Sequence, residues 1–309
     1  MASAIVFTPS SVIQDGQNNK LVFKFPGSVK LDNHSVAVSA LSMYYSWRNI
    51  TAALGNNTFS ITIFPGTYPQ TFTCVFPDGS YTISDINSYF QYFCIQSGLY
   101  LIDATGKNVF FATFTTNKTK YAIEIQTFSV NPMNPPLGYT RPINFPAPVI
   151  PVQDPRDPPI PAIIYNPWNA VLSFPSGFNK IIGYTAGFAT DANLDVQTTG
   201  VTPNGGYASG ATIAYLSSVA PQIQPNPVVL VSCTGVSNKY SLAPVIYSFT
   251  SGGASVGALI SERPSSLDYI SMIPGVYSEL KLTLMGADFL PLAIQDGNIS
   301  IMLSIRENV

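Results

Sequence analysis

The chain has 309 residues and a formal net charge of −2, and only 10% of its residues are Asp, Glu, Lys or Arg, against about 25% in an average globular protein. No Lys/Arg-rich run supplies an electrostatic footprint for nucleic acid, and an apolar share of 46% speaks against disorder. A surface that forgoes charge is expected to be covered by neighbouring chains, so composition alone points to an assembly subunit.

In chain order, Ala4-Ile5-Val6-Phe7 is apolar but too short for a signal peptide. From Leu21 onward the pattern has period two. Leu21, Phe23 and Phe25 alternate with Val22 and Lys24, and a long strand region is predicted over 21–48, with 35–45 as its second arm. Phe59, Ile61 and Ile63 alternate with Ser60 and Thr62, predicting a strand over 58–64, followed by another over 72–82. Successive side chains of a strand point to opposite faces, so each run buries one face and shows the other. That is the mark of antiparallel sheets with one wet side.

One segment breaks this period. Ile86, Tyr89, Phe90 and Phe93 recur at helical spacing, predicting a helix over 85–96 with Ser84 as N-cap, Asp85 in the first turn and Gly98 as terminator. Strands return at 109–115 and at 120–130, where Tyr121, Ile123 and Ile125 alternate with Ala122, Glu124 and Gln126. Residues 132–167 hold about a dozen of the 26 prolines. Proline lacks an N–H and is excluded from central strands, so this segment reads as an extended arm, lying over the domain or reaching a neighbour. A strand is predicted at 180–185. Residues 187–227 form a second insertion rich in Gly, Ser, Thr and Asn, and 196–261 carries one charged side chain, Lys239. The final strands fall at 228–234, 269–284 and 300–306. In the last, Ile299, Ile301, Leu303 and Ile305 alternate with Ser300, Met302, Ser304 and Arg306.

The fold class is therefore all-β: a single eight-stranded jelly-roll sandwich with one short helix and long inserted loops. The expected domain comprises 1–131 and 168–309, interrupted by the Pro-rich arm at 132–167 and the loop insertion at 187–227. Two smaller sandwiches in tandem are the alternative. No window reaches about 18 consecutive apolar residues, so no membrane-spanning helix is predicted.

Motifs for chemistry are sparse. Gly253-Ala254-Ser255-Val256-Gly257 matches the G-x-S-x-G nucleophile elbow, but the base it needs would have to be His34, the single histidine, far upstream. Asp191 and Asp195 bracket a loop without the Asp-x-Asp-x-Asp-Gly pattern of a calcium site. Cys74, Cys94 and Cys233 have no metal-ligand spacing and read as buried reduced thiols. The Asn-x-Ser/Thr triplets at Asn49, Asn56, Asn117 and Asn298 read as chance. No catalytic residue, cofactor or metal is expected, and the chain is not expected to be an enzyme. The expected interface residues are the large groups of Tyr44, Tyr45, Trp47 and Arg48, together with Trp168, since aromatic rings and Arg concentrate at interface hot spots.

Three stretches carry a resemblance: Leu41-Ser42-Met43-Tyr44-Tyr45-Ser46-Trp47-Arg48-Asn49-Ile50; Phe76-Pro77-Asp78-Gly79-Ser80-Tyr81-Thr82 leading into the helix; and Val276-Tyr277-Ser278-Glu279-Leu280 with Leu290-Pro291-Leu292 and 299–307. The pattern resembles the minor capsid (penton) proteins of virophages and polinton-like double-stranded DNA viruses. The resemblance implies a jelly roll that forms a homo-pentamer at the icosahedral five-fold vertex of the virion, flanked by trimers of the major capsid protein and made inside the host cell. It carries no catalytic residues. Two other readings differ in class: a double jelly-roll major capsid protein, and a glycan-binding attachment protein using Trp47 or Trp168.

Overall fold

The structure is a computed structural model that describes residues 2–63, 69–130, 135, 137–147, 168–175, 177–185, 187–190, 212–223, 227–239 and 241–308. The chain divides into two compact units, Met1–Arg48 with Gln224–Val309, and Asn49–Ile223.

The first unit contributes three strands before the second begins: β1 (Ala2–Phe7), β2 (Lys20–Lys30) and β3 (His34–Tyr44). Six follow it: β14 (Val228–Cys233), β15 (Val245–Thr250), β16 (Leu259–Glu262), β17 (Ile270–Ser271), β18 (Val276–Met285) and β19 (Ser300–Glu307). Setting aside the two-residue β17, which pairs with β3, eight strands remain, and their pairing defines the architecture. First pairs with eighth (β1–β19), second with seventh (β2–β18), third with sixth (β3–β16) and fourth with fifth (β14–β15), all antiparallel. Two further pairings, β19–β3 and β18–β14, roll this ribbon into the sheets β1-β19-β3-β16 and β15-β14-β18-β2. An antiparallel ribbon wrapped in this way into two packed sheets is a jelly roll. Leu21, Val36, Val231, Leu282 and Leu303 fill the space between the sheets, each almost wholly buried.

The second unit lies in the connection between the third and fourth jelly-roll strands. It holds β4 (Thr58–Ile63), β5 (Gln70–Val75), α1 (Ile83–Ser97), β6 (Tyr100–Asp103), β7 (Asn108–Phe110), β8 (Ala112–Asn117), β9 (Ala122–Val130), β10 (Tyr139–Thr140), β11 (Trp168–Asn169), β12 (Val171–Ser173), α2 (Phe178–Ile182) and β13 (Thr212–Leu216). They form a sheet β12-β4-β5, a sheet in which β9 pairs with β8, β11 and β13, and a small sheet β10-β6-β7. Phe59 is the centre of its core, with Phe76, Phe90, Phe114, Phe174 and Phe178 at ring-centroid distances of 5.0 to 5.9 Å. Rings at such separations and tilts contribute beyond their buried area.

The helix α1 forms as the periodicity predicts, but begins earlier. Its N-cap is Thr82, whose Oγ1 accepts the Asp85 N–H at 3.2 Å, while Asp85 Oδ2 accepts the Thr82 N–H at 2.9 Å. This capping box makes Ser84 a helical residue rather than the cap. Gly98 ends the helix at φ +71°, and a Cβ there would meet the Asn144 carbonyl oxygen at 2.2 Å. Asn144 Nδ2 in turn donates to the carbonyls of Ile95 and Gln96, each at 3.2 Å, satisfying acceptors the helix end leaves open.

Two expectations are corrected. The expected single domain built from 1–131 and 168–309 is instead the two units above: among the described residues β4, β5, β8 and β9, which fall in the strands expected at 58–64, 72–82, 109–115 and 120–130, pair only with one another and with later strands of residues 49–223. The alternation at 180–185 is not a strand; Lys180-Ile181-Ile182 lies in α2, closed by Gly183 in the left-handed conformation. The described part of the Pro-rich arm lies on its own unit. Tyr139 and Thr140 pair with Asp103 and Ile102, and Phe145 packs edge-on to Phe111. Residues 148–167, and most of the 187–227 insertion with Asp191 and Asp195, fall outside the described residues.

One side chain ties the ends of the second unit together. Asn49, its first residue, donates from Nδ2 to the carbonyl of Ile223, its last, at 2.6 Å, and to that of Tyr81 at 2.8 Å; its Oδ1 accepts the Tyr81 N–H at 2.8 Å. Asn56 Nδ2 donates back to the Asn49 carbonyl at 2.8 Å. Both asparagines are therefore structural and buried, although each heads an Asn-x-Thr triplet.

With its ends joined and its own aromatic core, the segment 49–223 produced alone is expected to fold cooperatively, as seen by a single thermal transition in circular dichroism. Within it Gly98→Ala is expected to destabilise by at least ~1–2 kcal/mol, the cost of a left-handed non-glycine residue, with the collision against Asn144 added. A Gly98→Ala chain as stable as the original in urea unfolding contradicts this account of the helix end.

Candidate assembly surfaces

In the first unit the two sheets bury one face each and differ sharply in what they show outside. On β19, Ile301, Leu303 and Ile305 point inward, leaving Ser300, Met302, Ser304 and Arg306 outside. On β3 the inward residues are Val36 and Val38, then Leu41 and Met43. The change of parity is absorbed by a bulge: Met302 pairs with Ala40 and Leu303 with Val38, so Ser39 is the extra residue. Ala40, Ser42 and Tyr44 therefore share the outer face. From β1 comes Val6, opposite Met302, and from β16 come Leu259, opposite Tyr44, and Ser261, opposite Ser42.

This outer face carries no acid or base until its far end. There Tyr269 Oη lies 2.9 Å from Ser304 Oγ, and the Arg306 guanidinium sits 3.8 Å above the Tyr269 ring. The rest is hydroxyl, methyl and thioether surface. The opposite sheet is the charged one. Lys20, Lys24, Glu279 and Lys281 stand on its outside, with Lys281 and Glu279 paired at 2.8 Å. Lys281 also holds the Glu279 carboxyl below its ordinary pKa, mainly through that hydrogen bond. Exposed pairs of this kind add little stability; their meaning lies in which sheet they mark as wet.

In the second unit a comparable surface lies on β12-β4-β5. Phe59, Ile61 and Leu172 face the core, so Thr58, Ser60 and Thr62 share the outer side with Thr71, Thr73 and Ser173. Thr62 and Thr71 hydroxyls bond across the strands at 2.8 Å. It too is uncharged.

The structure scatters the residues singled out from sequence. Tyr44 is exposed on the uncharged face. Tyr45 and Trp47 are not surface rings: both are buried at 4% exposure in the jelly-roll core, with ring centroids 4.2 Å apart. Trp47 forms a bridge with Ile294, and the Tyr45 backbone bonds to Ala258 and Gly257, so the chain leaving β3 continues as covered extended structure. Arg48 is half-buried, its N–H donating to the Ala293 carbonyl at 3.4 Å. Trp168 pairs through its backbone with Val130, and its side chain is outside the described residues. Sequence reasoning looked for large rings and missed a face made of Ser, Ala, Met and Val, although the Ser300/Met302/Ser304 alternation was its visible trace.

The chemical motifs have structural roles. Ser255 lies in an exposed turn between β15 and β16, and Gly257, at φ +84°, donates its N–H to the Tyr45 carbonyl at 2.8 Å. No strand-to-helix elbow is present there. His34 opens β3 with Nδ1 against the Asp32 carbonyl. No cluster of three metal-binding side chains occurs among the described residues. Cys74, Cys94 and Cys233 are buried free thiols. Burial disfavours the thiolate, pushing Cys74 and Cys233 up to about 12 and Cys94 well above its ordinary value.

No family model and no curated protein matches the chain. Among solved structures, the mavirus penton protein overlays it with a TM-score of 0.43 at 10% identity, covering 99% of this chain and 97% of that one. A chain of the Sputnik virophage particle overlays with a TM-score of 0.37 at 9% identity, again covering 99% and 97%. The jelly-roll assignment rests on the strand pairing of the first unit, not on these overlays.

Because the nucleophile of cysteine chemistry is the thiolate, the native chain at pH 8 is expected to leave its three cysteines unlabelled by a thiol reagent such as dithionitrobenzoate. All three should react on unfolding in guanidinium. Rapid stoichiometric labelling of the native chain would show that one of these sites is open.

Proposed function

We propose that the chain is a structural virion protein, the penton (minor capsid) subunit that forms pentamers at icosahedral five-fold vertices, with trimers of a major capsid protein as its other neighbours. The observation that carries the reading is the split character of the jelly roll: one sheet exposes lysines and a glutamate, the other a face of Ser, Ala, Val and Met that carries no acid or base until Arg306 at its far end. A monomer kept in solution by its charge has no use for such a division. A subunit with one side toward solvent and another toward neighbours requires it. The resemblance of the three sequence stretches to virophage and polinton-like minor capsid proteins supports the same reading. On it the protein is not an enzyme, and its place is the capsid vertex.

The double jelly-roll alternative is less well supported. The described strands contain one set paired first-with-eighth to fourth-with-fifth, whereas those of residues 49–223 form three separate small sheets. The glycan-binding alternative loses Trp47, which lies in the core.

Native mass measurement of the purified chain tests the proposal. A five-fold species is expected; a three-fold species would favour a shell-face subunit, and a monomer that persists at high concentration would overturn the reading. Met302 is 38% exposed at the middle of the uncharged face, so Met302→Glu is expected to leave thermal unfolding unchanged and to lower incorporation into particles about tenfold, the equivalent of ~1.4 kcal/mol.

A further inference from the structure

A jelly roll has four edge strands, and natural edges are blunted by lysine, proline or shortness, because an open strand edge is a template for another chain. In the first unit two edges are blunted. β2 carries Lys20, Lys24, Pro26 and Lys30, and β16 is four residues long, ends at Glu262 and runs into Arg263-Pro264. The other two are bare. β1 (ASAIVF) and β15 (VIYSFT) contain no charge, no proline and no glycine; β1 keeps unbroken register with β19 over its six residues, whereas β15 has a bulge at Ile246 and runs regularly from Tyr247 to Thr250. Among the described strands β1 is hydrogen-bonded only to β19, and β15 only to β14. Among the described residues, bonds to either backbone edge from outside its own sheet partner fall only on Val245, at the very start of β15: its N–H donates to the Ala243 carbonyl at 2.7 Å and its carbonyl accepts from Asn238 Nδ2 at 2.9 Å.

β1 packs against β2 and β15 against β3 across the sandwich, so the two bare edges, which close different sheets, lie on opposite flanks. Pairing β1 with another β1 about a two-fold axis would leave β15 open. Pairing the β1 edge of one copy with the β15 edge of the next uses both, and a heterologous contact of this kind generates a ring when its rotation closes. The two strands match in neutrality, and each is anchored in its own core, through Ile5 and Phe7 on β1 and through Ile246 and Phe249 on β15. We propose that copies of this chain join head to tail by strand addition, the β1 edge of one onto the β15 edge of the next. The inference rests on the vertex-subunit reading and names the contact that makes the ring.

Ala4→Lys on β1 and Ser248→Lys on β15 each put a cation on a bare edge at an exposed position. By native mass measurement each variant alone is expected to be monomeric. Their equimolar mixture is expected to give a 1:1 dimer and nothing larger, because each retains the edge the other has lost. Either variant keeping the oligomer of the unaltered chain, or a mixture that stays monomeric, overturns the proposal; a lysine acting on the open sheet face rather than on the edge gives no such dimer. Circular dichroism confirms that each is folded, and Val6→Lys with Thr250→Lys, also at exposed positions, replaces a pair that is not. If the unaltered chain is itself monomeric, the ring reading falls and this contact with it. If it forms a ring that both variants also form, strand addition alone fails.

Discussion

The structure depends on a long-range constraint: each sheet of the jelly roll is completed by strands from opposite ends of the chain. β19 lies between β1 and β3, and β18 between β2 and β14, so neither sheet exists until residues after 227 return to those before 45. Between these halves stands the whole of Asn49–Ile223. Closing a loop costs entropy that grows only logarithmically with its length, about 0.6 kcal/mol per doubling. The second unit lowers even that cost when it folds first. Asn49 binds the Ile223 carbonyl, so a folded insert brings its ends together and presents the jelly roll with a short connection. Non-local sheets fold slowly because closure must precede the contacts that reward it, and an insert with its own core and joined ends removes much of that delay.

This arrangement explains which features were legible in the sequence. Period-two alternation marks strands wherever one face is wet, and β2, β4, β9, β18 and β19 were all readable from it. The helix α1 was readable because Ile86, Phe90 and their neighbours keep one stripe. What alternation does not contain is partnership. Strands of the insert and of the jelly roll use the same period and similar residues, so Phe59-Ser60-Ile61 looks no different from Leu280-Lys281-Leu282. The boundary between the units is written in two buried asparagines, whose significance lies in the carbonyls they reach. Ile181 and Ile182 misled for a related reason: in a five-residue helix between glycines, a short apolar pair has no room to show its period.

The uncharged outer face was hidden by a bulge. Up to Val38 the inward residues of β3 are even-numbered; after Ser39 they are odd-numbered. Read straight through, the strand looks apolar on both sides and suggests a fully buried element, when each half has one inner and one outer side. The large rings near it drew attention for their size, yet Tyr45 and Trp47 are spent on the core because the chain beyond β3 remains paired, through Ala258 and Ile294. Ring size signals burial as readily as binding, and only the pairing of the neighbouring backbone separates the two.

The chemistry of the uncharged faces fits repeated contact better than tight contact. Ser, Ala and Thr lose little rotamer freedom when covered, whereas each Lys or Glu immobilised at an interface costs on the order of 1.5–2 kcal/mol in side-chain entropy and must also be stripped of water. Small side chains let a second surface approach a sheet closely, but supply no deep anchor of the kind that dominates high-affinity binary complexes. Such a face binds modestly per contact and gains strength when many contacts form at once. On the proposed reading, a low charge content is a condition on the partner: the surface is covered by one that also lacks charge. On the proposed reading, the edges of β1 and β15 and the Ser/Ala/Met face outside the β1-β19-β3-β16 sheet are where this chain would meet that condition.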